Sequence, residues 1–421
     1  MYPIKAPAVY IHQRVMDSPK CMERMERMMG CIESTEPPRV VNDEELDAIS
    51  KEHNWPGIAG KRTGEIKRIG NPAIIFNRFR WVEADEIKKL KQRFPNISGY
   101  YFLGDGAWGY RNGRATLQTQ HGICQNAYVI HSAWGCLHSC DYCNIGNFLN
   151  IMLDIEELIE HLDGLIKANP WLKLYKYDNH TDIPTFEPEY GASKLLVEYF
   201  AQRQDDYLML YTKSDNVDYL TNYKHQGHTI ICWTLSCSTV TREIEKDSPS
   251  MENRIAAARL CQDAGYTVRV RFSPIIPIKN WREESEDMLE KYLSAVRPDI
   301  ITMDMFKWIE PRKVRDIFDV SLWDEEYLDY VDKYAAMDPD ERPRGILPNG
   351  KQVFPHDARA RVYSFFINKI RELNTDVRIA LCGETPEMWD EMDPELGMTP
   401  DNYVCACGPT SVPGNPLLSG G

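Results

Sequence analysis

From Ala127 onward, short runs rich in β-branched and aromatic residues alternate with stretches whose apolar positions recur at helical spacing. That alternation predicts parallel strands joined by helices. The predicted strands are 127–131, 172–177, 207–212, 229–235, 267–272 and 300–305, with a later one at 377–381. Between them, 154–168 carries Ile155, Leu158, Ile159, Leu162 and Ile166 as the stripe of an amphipathic helix, with Asp154 as its N-cap. Segments 191–202, 251–264 and 283–296 read the same way, the second of these opened by Ser250 and stopped by Gly265. Six such units predict an α/β chain curled into a partial (β/α)6 barrel, whose reactive groups gather where the strands end.

The flanks follow other patterns. Residues 1–120 are expected to form an N-terminal extension, 121–310 the barrel core, and 311–421 a C-terminal extension with the late strand and a Cys-x-Cys tail. Within the first, Met22, Met25, Met28 and Met29 on the helical stretch 19–32 read as a packing face. Within the last, 336–352 is rich in Pro, Asp and Gly and reads as a long loop, 356–373 as a helix, and 408–421 as a loosely draped tail.

Composition narrows the class. With 43% hydrophobic and 27% charged residues and no apolar run of membrane-spanning length, the chain reads as globular and non-membrane. Its first sixteen residues lack the apolar core of a secretory signal, so the expected compartment is the cytoplasm. A net charge of -14, from 49 basic and 63 acidic residues, argues against nucleic acid as a partner. Lys61, Arg62, Lys67 and Arg68 form the best local basic cluster, and a solvated face is its simplest reading. Of the 12 cysteines, three fall within Cys136-Leu-His-Ser-Cys140-Asp-Tyr-Cys143, which points to metal ligation rather than disulfides.

That motif sits on a loop just after the first predicted strand, close enough for three thiols to turn onto one [4Fe-4S] cluster. Three thiolates leave one iron free for an exogenous chelate. Structural zinc needs four ligands, and His138 is the only nearby fourth, without a second short hook in the sequence.

Cys-x3-Cys-x2-Cys after the first strand of a (β/α)6 pattern resembles the radical S-adenosylmethionine (SAM) superfamily, and so implies its TIM-like partial barrel. Segments 211–220, 233–236, 248–258 and 271–281 resemble the spore photoproduct lyase branch. The resemblance implies a [4Fe-4S] cluster held by Cys136, Cys140 and Cys143, reductive cleavage of SAM at that cluster, and an electron donor such as flavodoxin or ferredoxin. It places Tyr142 near the adenine, Lys213 on the SAM carboxylate, and Thr234 and Ser273 beside the cofactor. Asp182, at the end of the second strand, is a candidate for SAM's amino group or ribose, or for a helix cap. The DNA lyases of that branch are similar to one another in having a second tyrosine after the third cluster cysteine and a hydrogen-donating cysteine after the second strand. Asn144 and Asn179 stand at those places here. The reading drawn from these departures is a radical SAM enzyme acting on a small molecule or natural-product intermediate. Photoproduct lyase-type DNA repair and transfer of SAM's 3-amino-3-carboxypropyl group are the alternatives.

Cys405 and Cys407, with Cys382 and Cys124, remain candidates for a catalytic role, a second cluster or a soft metal or metalloid, against incidental burial. Cys232, Cys237 and Cys261 read as packing residues, and His131 and His180 as potential substrate contacts.

Overall fold

The computed structural model describes residues 1–68, 70–342, 353–374 and 376–419. Its centre is one curled eight-stranded sheet in which spatial order follows chain order: Trp108–Arg111, Ala127–Ile130, Leu174–Tyr177, Tyr207–Thr212, Thr229–Thr234, Thr267–Ile275, Ile300–Met305 and Arg378–Leu381. All pairs are parallel except the first, where Trp108–Arg111 runs antiparallel to Ala127–Ile130. Thr229–Thr234 and Ile300–Met305 are buried at every position, as strands covered on both faces must be. The helices Ile155–Ala168, Ala192–Phe200, Met251–Asp263, Trp281–Ala295 and His356–Leu373 fall where periodicity predicts them. The link from Tyr207–Thr212 to Thr229–Thr234 is shorter, a single 3-10 turn at Asp218–Asn222.

Ser250 caps Met251–Asp263 as expected, accepting from the Asn253 amide at 3.1 Å. Asp154 does not cap Ile155–Ala168 with its side chain. Its carboxylate accepts from the Phe79 amide at 3.1 Å, tying the helix start to the N-terminal segment. Met25 and Met28 are buried in the main core, so the methionine stripe is a packing face.

A second sheet, in the order Arg39–Val41, Val9–His12, Ile74–Asn77, Leu149–Met152, Ala133–Trp134, combines N-terminal strands with two that flank the three-cysteine loop. Ala133–Trp134 enters that loop and Leu149–Met152 leaves it, so both ends are pinned by the same sheet. Gly135 makes the entry turn at φ +107°, and a Cβ there would sit 1.8 Å from the Phe148 carbonyl oxygen. Only glycine accommodates both the backbone angle and the close approach. Inside the loop, Ser139–Cys140 pairs antiparallel with Glu245–Lys246.

Two expectations are corrected. The tail is not loosely draped: Ser411 is fully buried, and its carbonyl accepts from Arg269 at 2.6 Å. The basic cluster is a solvated face only in part: Lys61 and Lys67 are exposed, while the two arginines turn inward. Arg62 donates to the carbonyls of Tyr142 at 3.0 Å and Trp308 at 2.9 Å, while Arg68 donates to those of Cys136 at 3.2 Å, Leu137 at 3.1 Å and His138 at 3.2 Å. Buried loop carbonyls need donors, and these guanidiniums supply them. Most of the expected 336–352 loop lies outside the described residues. No helix among the described residues is long and apolar enough to cross a membrane.

Candidate active site

At the C-terminal ends of the strands lies a cavity of about 600 Å³ lined by Cys136, Cys140, Tyr142, Cys143, Asp182, Lys213, Thr234 and Ser273. All eight were singled out from sequence. Cys405 and Cys407 lie elsewhere, buried on the C-terminal segment and outside the cavity wall. Arg62, Trp134, Asn144, Asn179, His180, Arg271, Lys307 and Trp308 are among the other lining residues.

The three motif thiols form no disulfide. Burial, with Asp182 and the other two thiols adding to it, holds the Cys136 thiol well above its ordinary range, and burial pushes Cys140 up to about 12 despite Lys213. Such a trio is stable as thiolates only around a cation. Among the described residues, no three cysteine sulfur atoms lie within 4.8 Å of one another. Tetrahedral zinc, with Zn–S near ~2.3 Å, needs its ligands closer than that. His138 is also taken: its ring nitrogens face the Asp247 carbonyl at 2.8 Å and Asp182 at 3.1 Å. Three thiols with no free fourth protein ligand leave one iron of a cubane open and do not complete a structural zinc site.

Around the thiols, charge is closely matched. Glu245 is fully buried and takes Tyr142 Oη at 2.5 Å, Arg254 Nη1 at 2.6 Å, Ser236 Oγ at 3.1 Å and Lys213 Nζ at 3.7 Å. Burial alone would raise its pKa, but Lys213, Arg254 and the Tyr142 hydrogen bond bring it down to about 2. The Lys213 ammonium also lies 5.7 Å from the Tyr142 ring centroid. Asp182 neither caps the 3-10 turn that follows it nor stands free. It accepts from His138 at 3.1 Å, Thr212 Oγ1 at 2.7 Å and the Lys213 amide at 2.7 Å, so it joins the cysteine loop to the strand end that carries Lys213. Ser273 Oγ accepts from Arg271 at 3.2 Å.

Asp178 and His180 also line the cavity; His180 stacks on His131 at 3.9 Å, and Asp178 binds His131 Nδ1 at 2.6 Å. Burial and the neighbouring His131 hold His180 down at about 4, so its imidazole is neutral at physiological pH. Neither Glu245 nor Arg254 was singled out from sequence. A buried ion pair leaves no period or spacing, and the only trace was an arginine in the helix opened by Ser250.

Comparison with known proteins follows the same outline. The family model described as spore photoproduct lyase matches residues 112–380. The spore photoproduct lyase of Clostridium acetobutylicum is 23% identical over 252 residues, covering 58% of this chain and 73% of that relative. That of Bacillus subtilis is 25% identical over 206 residues, covering 47% of this chain and 60% of the relative's length. Two solved spore photoproduct lyase variants, one with dinucleoside spore photoproduct (TM-score 0.60, 18% identity) and one with bound AdoMet as well (TM-score 0.58, 15% identity), each cover 90% of this chain and 98% of their own. These structural likenesses establish the fold. With the matched model spanning well over half the sequence and the three thiols at the open end of the barrel, the chain belongs to the spore photoproduct lyase family of radical SAM enzymes.

Proposed function

We propose that this enzyme removes a hydrogen atom from a cross-linked thymine photoproduct, so that the bond joining the two bases opens and a hydrogen atom returns to the product radical. The observation that carries this reading is the family match across 112–380, which favours lesion reversal over the small-molecule substrate expected from Asn144 and Asn179. When bound, the cluster and SAM supply a carbon-centred radical by reductive cleavage.

The chain's own groups hold and shield. Lys213 is the cation for SAM's carboxylate, exchanging its 3.7 Å contact with Glu245 for a closer one. Asp182 sets the height of the Lys213 backbone against the cysteine loop, and the Tyr142 ring offers a face for the adenine. Arg62 and Trp308, hydrogen-bonded to each other, close one rim, and His180 and Asn179 form the substrate side. Lys213→Met is therefore expected to raise the KM for SAM by about ten- to a hundredfold, the ~1.5–3 kcal/mol of a charge-assisted hydrogen bond, with iron content unchanged. An unaltered KM would remove Lys213 from the cofactor site.

A second reading keeps the small-molecule substrate. It is favoured by Asn144 and Asn179, neither of which can return a hydrogen atom, and by Arg62 and Arg68 being spent on loop carbonyls rather than facing a phosphate backbone. One experiment separates the readings: the reconstituted, reduced enzyme is given SAM with the dinucleoside photoproduct, and both nucleoside and thymine products are identified. Repair with 5'-deoxyadenosine supports the first reading. Deoxyadenosine without repair supports the second, and methylthioadenosine points to aminocarboxypropyl transfer.

A further inference from the structure

Opening the bond between the two bases leaves a carbon radical that must gain a hydrogen atom, and the amides of Asn144 and Asn179 hold theirs too strongly to give one. A thiol or a phenol can supply it, because its S–H or O–H bond is no stronger than the C–H bond that forms on a stabilised radical. The O–H bonds of serine and threonine are stronger, and those residues are unsuitable. Among the residues lining the SAM cavity, the thiols and phenols are Cys136, Cys140, Cys143, Tyr142 and Tyr211. The three cysteines are the cluster's ligands. Tyr142 commits its hydroxyl hydrogen to Glu245 at 2.5 Å. Tyr211 alone remains.

Its surroundings leave that hydrogen available. Tyr211 stands near the end of the strand Tyr207–Thr212, two residues before Lys213, and packs into the main core while lining the cavity. Its Oη accepts from Arg271 Nη1 at 3.2 Å, and among the described residues its own hydrogen has no acceptor. A hydroxyl is one donor as well as an acceptor, so the donating side is unspent. Arg271, which lines the same cavity, is held in turn by Asp304 at 3.1 Å. Burial holds the phenol well above its ordinary range even beside Arg271, which keeps the hydrogen on oxygen at physiological pH. The Arg271 guanidinium carbon also lies 5.6 Å from the Tyr211 ring centroid. A cation there opposes loss of an electron by itself, so what the ring gives up most readily is a whole hydrogen atom.

The geometry points to Tyr211 as the catalytic residue that returns the hydrogen atom to the product radical, an inference that rests on the lesion-reversal reading. The Tyr211 O–H bond breaks homolytically and a C–H bond forms on the product carbon, which leaves a neutral phenoxyl radical on Tyr211. One electron from a reduced flavodoxin- or ferredoxin-type protein and one proton from solvent restore the phenol. Each turnover therefore takes one electron to cleave SAM and a second to reset Tyr211, and SAM is consumed as methionine and 5'-deoxyadenosine.

The test is turnover of the dinucleoside photoproduct in D2O by the reconstituted, reduced enzyme, unmodified and as Tyr211→Phe, with binding of the dinucleoside to the unreduced holoenzymes measured alongside. A phenol exchanges its hydrogen with solvent, so thymine product from the unmodified enzyme should carry one deuterium and the 5'-deoxyadenosine none. In Tyr211→Phe, the 5'-deoxyadenosine formed per repaired dinucleoside should rise by about tenfold or more, with dinucleoside affinity within about threefold of the unmodified value. If Tyr211→Phe does not fold, Tyr211→His and the label in the unmodified enzyme decide in its place. Repaired product without solvent deuterium would overturn the assignment and leave lesion reversal standing, since the hydrogen then came back from 5'-deoxyadenosine. Equal repair and equal label in the variant would overturn it too. So would a loss of affinity matching the loss of repair, which would make Tyr211 a substrate contact. Failure of the unmodified enzyme to repair the dinucleoside would sink the lesion reading and this assignment with it.

Discussion

Cys140→Ala is expected to bring SAM cleavage below about one thousandth of the unmodified rate, a loss of at least ~4 kcal/mol of transition-state stabilisation. Cys140 is 5% exposed and sits in a two-residue strand paired with Glu245–Lys246, so its thiol is aimed by backbone pairing on one side and by the Arg68 clasp on the other. A neighbouring side chain cannot swing in to replace it. Two remaining thiolates leave two irons exposed to solvent, and the cluster no longer offers one defined chelating position. The measurement is the nucleoside formed after anaerobic reduction in the presence of SAM, alongside iron content. Full activity with retained iron would refute the ligand assignment.

Arg254→Met should destabilise the fold by about 3 kcal/mol, because it leaves a buried carboxylate with Lys213, at 3.7 Å, as its remaining cation. Arg254 and Glu245 are both 0% exposed and meet at 2.6 Å, and Arg254 also donates to the carbonyls of Thr234 at 3.2 Å and Pro249 at 2.9 Å. Urea unfolding of the two proteins would show the loss as a lower midpoint. Replacing both partners by methionine should recover only part of it, since Lys213 then loses the Glu245 carboxylate. A single variant as stable as the unmodified protein would show that the pair contributes specificity alone. The same carboxylate sets a pH dependence. Its pKa in the folded protein is about 2, below the ordinary 4.5, so its contribution is complete above about 4.5 and is lost as pH falls towards 2. Acid unfolding of the unmodified protein should therefore carry a component that Arg254→Met lacks.

Much of the barrel was legible from periodicity. The strands Tyr207–Thr212 and Ile300–Met305 and the helix His356–Leu373 match their expected bounds, because each is a local pattern with a local stop. The antiparallel edge strand Trp108–Arg111 was not foreseen. Its buried and exposed positions do not alternate, so no two-residue period marks it. The cysteine loop was legible for a different reason: a cluster needs thiols within one turn of chain, and that requirement is written in spacing.

Fold class, the radical SAM cluster and part of the cavity wall were thus determined by order along the chain, where strand, helix and ligand spacing are short-range properties. What tertiary structure alone decided is everything that depends on meeting across the sheet. Glu245 meets Arg254 and Tyr142, Arg62 and Arg68 turn inward onto loop carbonyls, and Cys407 meets Arg111. Buried charges leave no periodicity, because the partner that makes each of them stable lies far away in sequence.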